Sequence, residues 1–254
     1  MRILVCVKQV LDPDAMPRLG ADGRSLRIPD EAIYRLNRYD ELAVEEALLI
    51  KEANPGTTVD AVSVGPARAV DVLRRAMGMG ADRGFLLLAE SPADPFAVAG
   101  RLAAFAKNDS YELILCGAVS EDEMQGVVGP VLAAVLSLPC ATAIVAAQID
   151  AANGAAEVER ELEGGRRERL ALPLPCLLTV QSGLNRPRYP AVSHLLRAHR
   201  VTIPVWDVGR FAAPRQILAR LTEPQRQRAG VVLDGTRAEN AARLLALLQE
   251  KGLL

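Results

Sequence analysis

Two stretches of this sequence bring together residue types that could hold a charged small molecule. The first is residues 116–130, CGAVSEDEMQGVVGP, with Gly117, Gly126 and Gly129 spaced along it. Glycines allow a ligand close to the main chain, and the unpaired amides of a helix start suit a phosphate. Three consecutive acids, Glu121, Asp122 and Glu123, oppose that use unless their carboxylates point outward. The plainer alternative is a strand–helix loop in which Ser120 or Asp122 caps the helix and the acids favour its dipole. The second stretch is LNRYD, residues 36–40, after a long excursion from Cys6 through Pro29. Connections of that length are uncommon inside compact domains and are usually functional. The alternative here is a loop capped by Asn37 or Asp40.

Chemistry of other kinds finds no support. No GxGxxG follows a strand, and GxxxxGK[ST], HExxH and GxSxG do not occur. His194 and His199 fall in one basic stretch with no evident nucleophile loop. Cys6, Cys116, Cys140 and Cys176 lie far apart in or beside apolar runs, where free cysteine behaves as a small hydrophobe. No metal site and no catalytic residue is expected.

The elements that must position the two stretches alternate in type. Short apolar runs at 2–7, 58–64, 84–88 and 112–116 read as strands buried on both faces. Between them, residues 40–53, 67–79 and 95–107 have helical period, with Leu42, Ala43, Ala47 and Ile50 on one stripe. Right-handed crossovers then give an α/β fold, a doubly wound, mainly parallel sheet. In such a sheet ligands bind at the carboxyl ends of strands, where residue 116 falls. Gly78 and Gly80 of GMGAD read as a helix–strand turn.

From residue 144 the pattern changes. Residues 144–150, 156–162 and 167–172 read as an antiparallel extension with turns at Asn153-Gly154 and Gly164-Gly165. Residues 175–181 read as one more buried strand, and a helix runs from 131 to 136. Residues 202–235 are broken by Pro204, Pro214 and Pro224 and carry a run of arginines. Thr236 then caps a helix ending near Lys251. This segment cannot bury a core of its own and is expected to lie on a partner chain or on its own domain.

The 254 residues carry 30 basic and 31 acidic side chains, a net charge of -1, and 50% are hydrophobic. That balance excludes intrinsic disorder and removes the basic footprint of a nucleic-acid binder. No stretch reaches the roughly 20 apolar residues of a membrane span, and MRILVCVKQV is too short for a signal peptide. A reduced, soluble protein of the cytoplasm or an organelle matrix is expected, not itself membrane-embedded.

In order along the chain, ILVCVKQVLDP, NRYDELAVEEALLIKE, VSVGPARAVDVLRRAMGMGADR, CGAVSEDEMQGVVGP, VERELEGG and LLTVQSGLNRPRYPAVSHLLRAHR resemble the electron transfer flavoprotein β subunit over about residues 1–203. The resemblance implies a Rossmann-like, adenine-nucleotide-binding domain over residues 1–203 and a C-terminal arm and helix over 204–254 packing on the α subunit. It implies an electron carrier rather than an enzyme, in a heterodimer whose α subunit holds most of the FAD. Ordinary members bind AMP structurally and pass electrons from acyl-CoA dehydrogenases. In bifurcating members a second FAD takes the AMP position and oxidises NADH. A solitary nucleotide-sensing domain or an ATP-pyrophosphatase relative fits poorly, since VKQVLD lacks the SGGxDS of that class.

By motif, the resemblance assigns the nucleotide to Cys6, to Asn37, Arg38, Tyr39 and Asp40, and to Val64. It adds Gly117, Ala118, Val119, Ser120, Asp122, Met124, Gln125, Gly126, Val127, Val128 and Gly129. It assigns Glu161 to the flavin-proximal contact with the α subunit. Tyr189, Val192, Leu195 and Arg197 fall in the segment that docks on the dehydrogenase, with Val192 as apolar anchor. Met124 and Gln125 stand where polar residues are usual, Val127 replaces a customary Gln, and Arg186 and Val192 replace a commoner Glu and Leu. These departures leave AMP and a second FAD both open in the β site.

Overall fold

The structure is a computed structural model and describes residues 1–89, 94–207, 215–223 and 230–254. Its frame is a nine-stranded sheet. The central strands are β1 (Arg2–Cys6), then, past the short β2 (Gln9–Leu11), β3 (Arg18–Leu19), β4 (Leu26–Arg27) and β5 (Tyr34–Leu36), β6 (Thr58–Gly65), β7 (Arg83–Leu88) and β8 (Leu113–Gly117). After these come β9 (Cys140–Asp150), β10 (Ala155–Glu161), β11 (Arg167–Pro173), β12 (Cys176–Val180) and β13 (Val205–Trp206). The order across the sheet is β11-β10-β9-β12-β8-β1-β6-β7-β13. All neighbours from β9 to β13 pair in parallel, and β10 runs antiparallel to both β9 and β11.

Helices α1 (Arg38–Ala53), α2 (Val70–Met79), α3 (Pro95–Ala106), α4 (Val128–Leu136), α5 (Val192–Arg200) and α6 (Arg237–Glu250) complete the elements. Alternation along the strands makes two cores. Ile3, Val5, Val59, Leu113 and Leu115 pack with α1 and α2 on one face. Leu4, Cys6, Val62, Ile114 and Cys116 pack with α3 and α4 on the other. Each fully buried Leu or Ile contributes roughly 1.5–3 kcal/mol over an exposed one, so both faces hold the sheet.

Local signals set the boundaries. Gly80, at φ 140°, ends α2, as the GMGAD reading expected. Asp94 accepts the Ala97 amide at 2.8 Å and Pro95 opens α3. Helix α4 starts at Val128, earlier than the 131 expected, because Pro130 stands in the first turn, where its missing N–H has no intrahelical role. Strand β9 starts at Cys140 rather than 144, since it pairs with β12 before it reaches β10.

At the amino ends of the strands the fully buried Asp60 carboxylate is a hub. It accepts Arg83 at 2.8 and 2.6 Å, the Tyr111 hydroxyl at 2.9 Å and Arg2 at 3.1 Å. Burial pushes this carboxyl up, but the bonds from Arg83 and Tyr111 outweigh it and hold Asp60 below its ordinary range.

The chain divides into two compact units. The first comprises residues 1–18 and 26–219. Val205–Trp206, which the sequence reading put at the start of the arm, forms β13 beside β7 within it. The second comprises residues 19–25 and 220–254. There Thr236 caps α6 in a full capping box with Glu239, and α6 buries none of its residues. Pro214 and Pro224, and Arg210, Arg226 and Arg228, lie outside the described residues.

Candidate functional site

Strands β1, β6 and β8 are neighbours, so Cys6, Val64 and Gly117 reach the same edge of the sheet. Cys6 and Cys116 are partners in register on β1 and β8. Both are free and buried, and a hydrogen bond between the thiols together with burial holds Cys116 well above its ordinary pKa. Cys116 is therefore not a reactive thiolate.

The start of α1 closes over these strand ends. Asn37 occupies the cap position, but its side chain does not cap the helix. Its Nδ2 donates to the Val119 carbonyl at 2.9 Å, and its Oδ1 accepts the Glu121 amide at 3.1 Å. Asp40 caps nothing either. Its carboxylate accepts the Lys8 amide at 2.7 Å and the Gly117 amide at 3.0 Å. Burial pushes the Asp40 carboxyl up to about 7 despite those two bonds. The capping expected of Asn37 or Asp40 is therefore replaced by ties to the loop after β8 and the exit of β1.

The acids of that loop are spoken for. Glu121 accepts from Arg35 at 3.0 Å and from the Arg38 amide at 3.1 Å. Lys8 Nζ reaches Asp122 at 2.8 Å and Glu123 at 3.4 Å, with Ser120 Oγ at 3.3 Å. Neither Ser120 nor Asp122 caps α4. The cap position is Val127, which offers no side-chain acceptor, so the first amides of α4 lack a cap. Met124 turns outward, 61% exposed, and Gln125 is exposed beside it.

The glycines answer to the protein's own packing first. A Cβ on Gly117 would lie 2.4 Å from Asp40 Oδ1, and one on Gly129 would lie 2.5 Å from Thr179 Cγ2. Gly126 holds φ +64° with Ala118 O 3.1 Å from a Cβ position. Packing within the chain is by itself enough to require glycine at 117 and 129. A groove of about 510 Å³ lies alongside, lined by Pro13, Arg38, Tyr39, Leu42, Glu121, Met124 and Ser182.

The assigned nucleotide residues thus gather at one strand edge, and the assigned partner residues lie elsewhere. Glu161 is exposed at the end of β10 and pairs with Arg167 at 3.7 Å. Tyr189 and Val192 are 91% and 72% exposed, and Arg197 is exposed on α5. Leu195 instead turns inward, against Gly78 of α2. Sequence reasoning missed Lys8, whose only signal was a charge directly after a short apolar run, and Arg35, which carried none. It also missed Ser63, whose buried Oγ has no partner among the described residues one position before Val64.

A mainly parallel, doubly wound sheet with loops gathered at the carboxyl ends of its central strands defines a Rossmann-like α/β protein. Residues 26–210 match the electron transfer flavoprotein domain family. The chain is 34% identical to the electron transfer flavoprotein subunit beta of Bradyrhizobium diazoefficiens, over 100% of both chains. It is 34% identical to the caffeyl-CoA reductase-Etf complex subunit CarD of Acetobacterium woodii, again over 100% of both. To the human electron transfer flavoprotein subunit beta it is 33% identical, over 99% of this chain and 98% of that one. The chain belongs to the electron transfer flavoprotein family, among its β subunits.

Proposed function

We propose that this chain is the β subunit of a heterodimeric electron transfer flavoprotein, an electron carrier with no substrate turnover of its own. It would hold AMP structurally at the carboxyl ends of β1, β6 and β8, help hold the FAD of the α subunit, and serve acyl-CoA dehydrogenases and a respiratory acceptor. The arm assigned to residues 204–254, less the β13 strand that joins the sheet, would pack on the α subunit. The observation that carries the reading is the uncapped start of α4 beside a fixed 117–121 loop, in a chain that matches β subunits end to end.

The residues present fit an adenylate gripped by main chain. The amides of Val128 and Gly129, at a helix start with no side-chain cap, are donors of the kind a phosphate needs. The acids that would repel it are engaged by Lys8, Arg35 and the Arg38 amide. Asp40 and Asn37 hold the crevice walls, and Lys8 offsets Asp122 and Glu123. The aromatic and thioether lining of the nearby groove, Tyr39 and Met124, suits a flat ring from a partner. Bound FAD supplies the reversible redox chemistry; this chain's part is to bind, orient and shield.

Co-purification with the α subunit tests the reading. A yellow 1:1 dimer releasing one FAD and one AMP on acid extraction is expected. A colourless, stable monomer that takes up no flavin-binding partner would overturn it. The resemblance to CarD, whose name places it in a caffeyl-CoA reductase-Etf complex, favours a second reading. On that reading the β site holds a second FAD that oxidises NADH, and extraction would give two FAD and no AMP.

A further inference from the structure

Helix α1 turns two acids into the protein. Glu45 and Glu46 are 4% and 7% exposed, a placement charged residues tolerate only when paired. Their partners arrive from far along the chain. Arg188 sets Nε and Nη2 on the Glu45 carboxylate at 2.9–3.1 Å, and its own amide donates to the same group at 3.0 Å. Its Nη1 reaches Glu52 at 2.5 Å. Asn185 donates to Glu46 at 3.0 Å and to the Leu42 carbonyl at 3.1 Å. The EEA of α1 and the LNRPRY segment are thus two halves of one device.

What the device holds is exposed. Tyr189 follows Arg188 directly, and Val192 and Leu196, 72% and 57% exposed, stand one turn apart on α5. The far side is fixed as well, since Leu195 packs on Gly78 and Ala198 is buried. Residues 189–192 therefore span two anchored points. Helix α5 carries no acid and ends in Arg197, His199 and Arg200, a charge that suits an acidic rim around an apolar pocket.

We propose that the Glu45–Arg188 fork, with Glu46–Asn185, is a positioning latch that sets the pose of the Tyr189–Val192–Leu196 surface for its electron-donating partner. This rests on the docking reading above. A buried ion pair is weak evidence for stability, because an apolar pair of similar volume often serves equally well. A bidentate fork fixes geometry, which an apolar pair does not. The latch is therefore expected to act on docking rather than on folding.

The test uses the α–β heterodimer reduced by an acyl-CoA dehydrogenase. Arg188→Met strands the buried Glu45, so both melting temperature and docking should suffer. The double variant Glu45→Met/Arg188→Met should regain the melting temperature while the KM for the dehydrogenase stays raised about tenfold, close to the ratio that 1.4 kcal/mol represents. Flavin content and kcat should match wild type, and exchange of the bonded amides of α5, from His194 onward, should quicken. A double variant with wild-type KM would overturn the latch. Should it yield no heterodimer, Arg188→Lys, which keeps the charge and loses the fork, is read the same way. Val192→Asp separates the two claims. If Val192→Asp raises KM and the latch variants do not, the latch fails and docking stands. If Val192→Asp leaves KM unchanged, the docking reading fails and the latch with it.

Discussion

The Gly117 amide donates to the carboxylate of Asp40 at 3.0 Å, across the space that any side chain at 117 would need. The same carboxylate takes the Lys8 amide at 2.7 Å. One buried acid on α1 thereby ties the exit of β1 to the exit of β8. The exits of the two strands are fixed by the chain itself.

Gly117→Ala tests how tight that joint is. The new Cβ would meet Asp40 Oδ1 at 2.4 Å, Tyr39 Cβ at 2.7 Å and the Tyr39 carbonyl carbon at 2.8 Å, and backbone cannot give way cheaply. A loss of about 1–3 kcal/mol is expected from this overpacking, read by urea unfolding. An unfolding curve superposable on wild type would mean the joint is loose.

At Gly129 the obstacle is the Thr179 methyl at 2.5 Å, on the strand next to β8. Gly129→Val should push the start of α4 off the sheet and lower the nucleotide recovered per heterodimer by severalfold on acid extraction. Full recovery from the purified variant would exclude the start of α4 as the phosphate site.

The pH dependence at Asp40 has a definite sign. Its folded-state pKa, raised by burial from 3.8 to about 7, means that the folded chain binds more protons than the unfolded chain between those values. Its contribution to stability is therefore whole below about pH 4 and is lost as pH rises through 7. Asp40→Asn removes this titration. The stability of wild type relative to the variant should fall by roughly 2–4 kcal/mol from pH 4 to pH 8. Paired urea titrations at several pH values measure it, and a gap that does not move with pH would refute it.

Tyr111→Phe acts at the opposite end of the strands. It deletes one donor to the buried Asp60 and leaves Arg83 and Arg2 in place. A loss of roughly 1.5–3 kcal/mol is expected in thermal or urea unfolding. FAD and nucleotide content should be unchanged, because Asp60 pairs with Arg83 at the amino ends, away from the crevice. A loss of cofactor without a loss of stability would contradict the separation of the two ends.

The order of strands and helices was legible because burial on both faces leaves runs such as ILVC and AVSV almost wholly apolar, and helices show their period. The Thr236 cap was legible for a related reason, its partner Glu239 being three residues away. The alternative caps, Asn37 or Asp40 and Ser120 or Asp122, failed on the same ground turned round. Those side chains satisfy groups from 32 to 114 residues distant, and local spacing carries no trace of them.

By itself, then, the sequence determined the layered α/β frame and which loops come to the strand ends, since hydrophobic period and turn chemistry act over a few residues. Only the tertiary structure decided what each polar side chain there does. Glu45 and Arg188, 143 residues apart, become partners because a carboxylate denied water takes whichever donor the fold brings within reach.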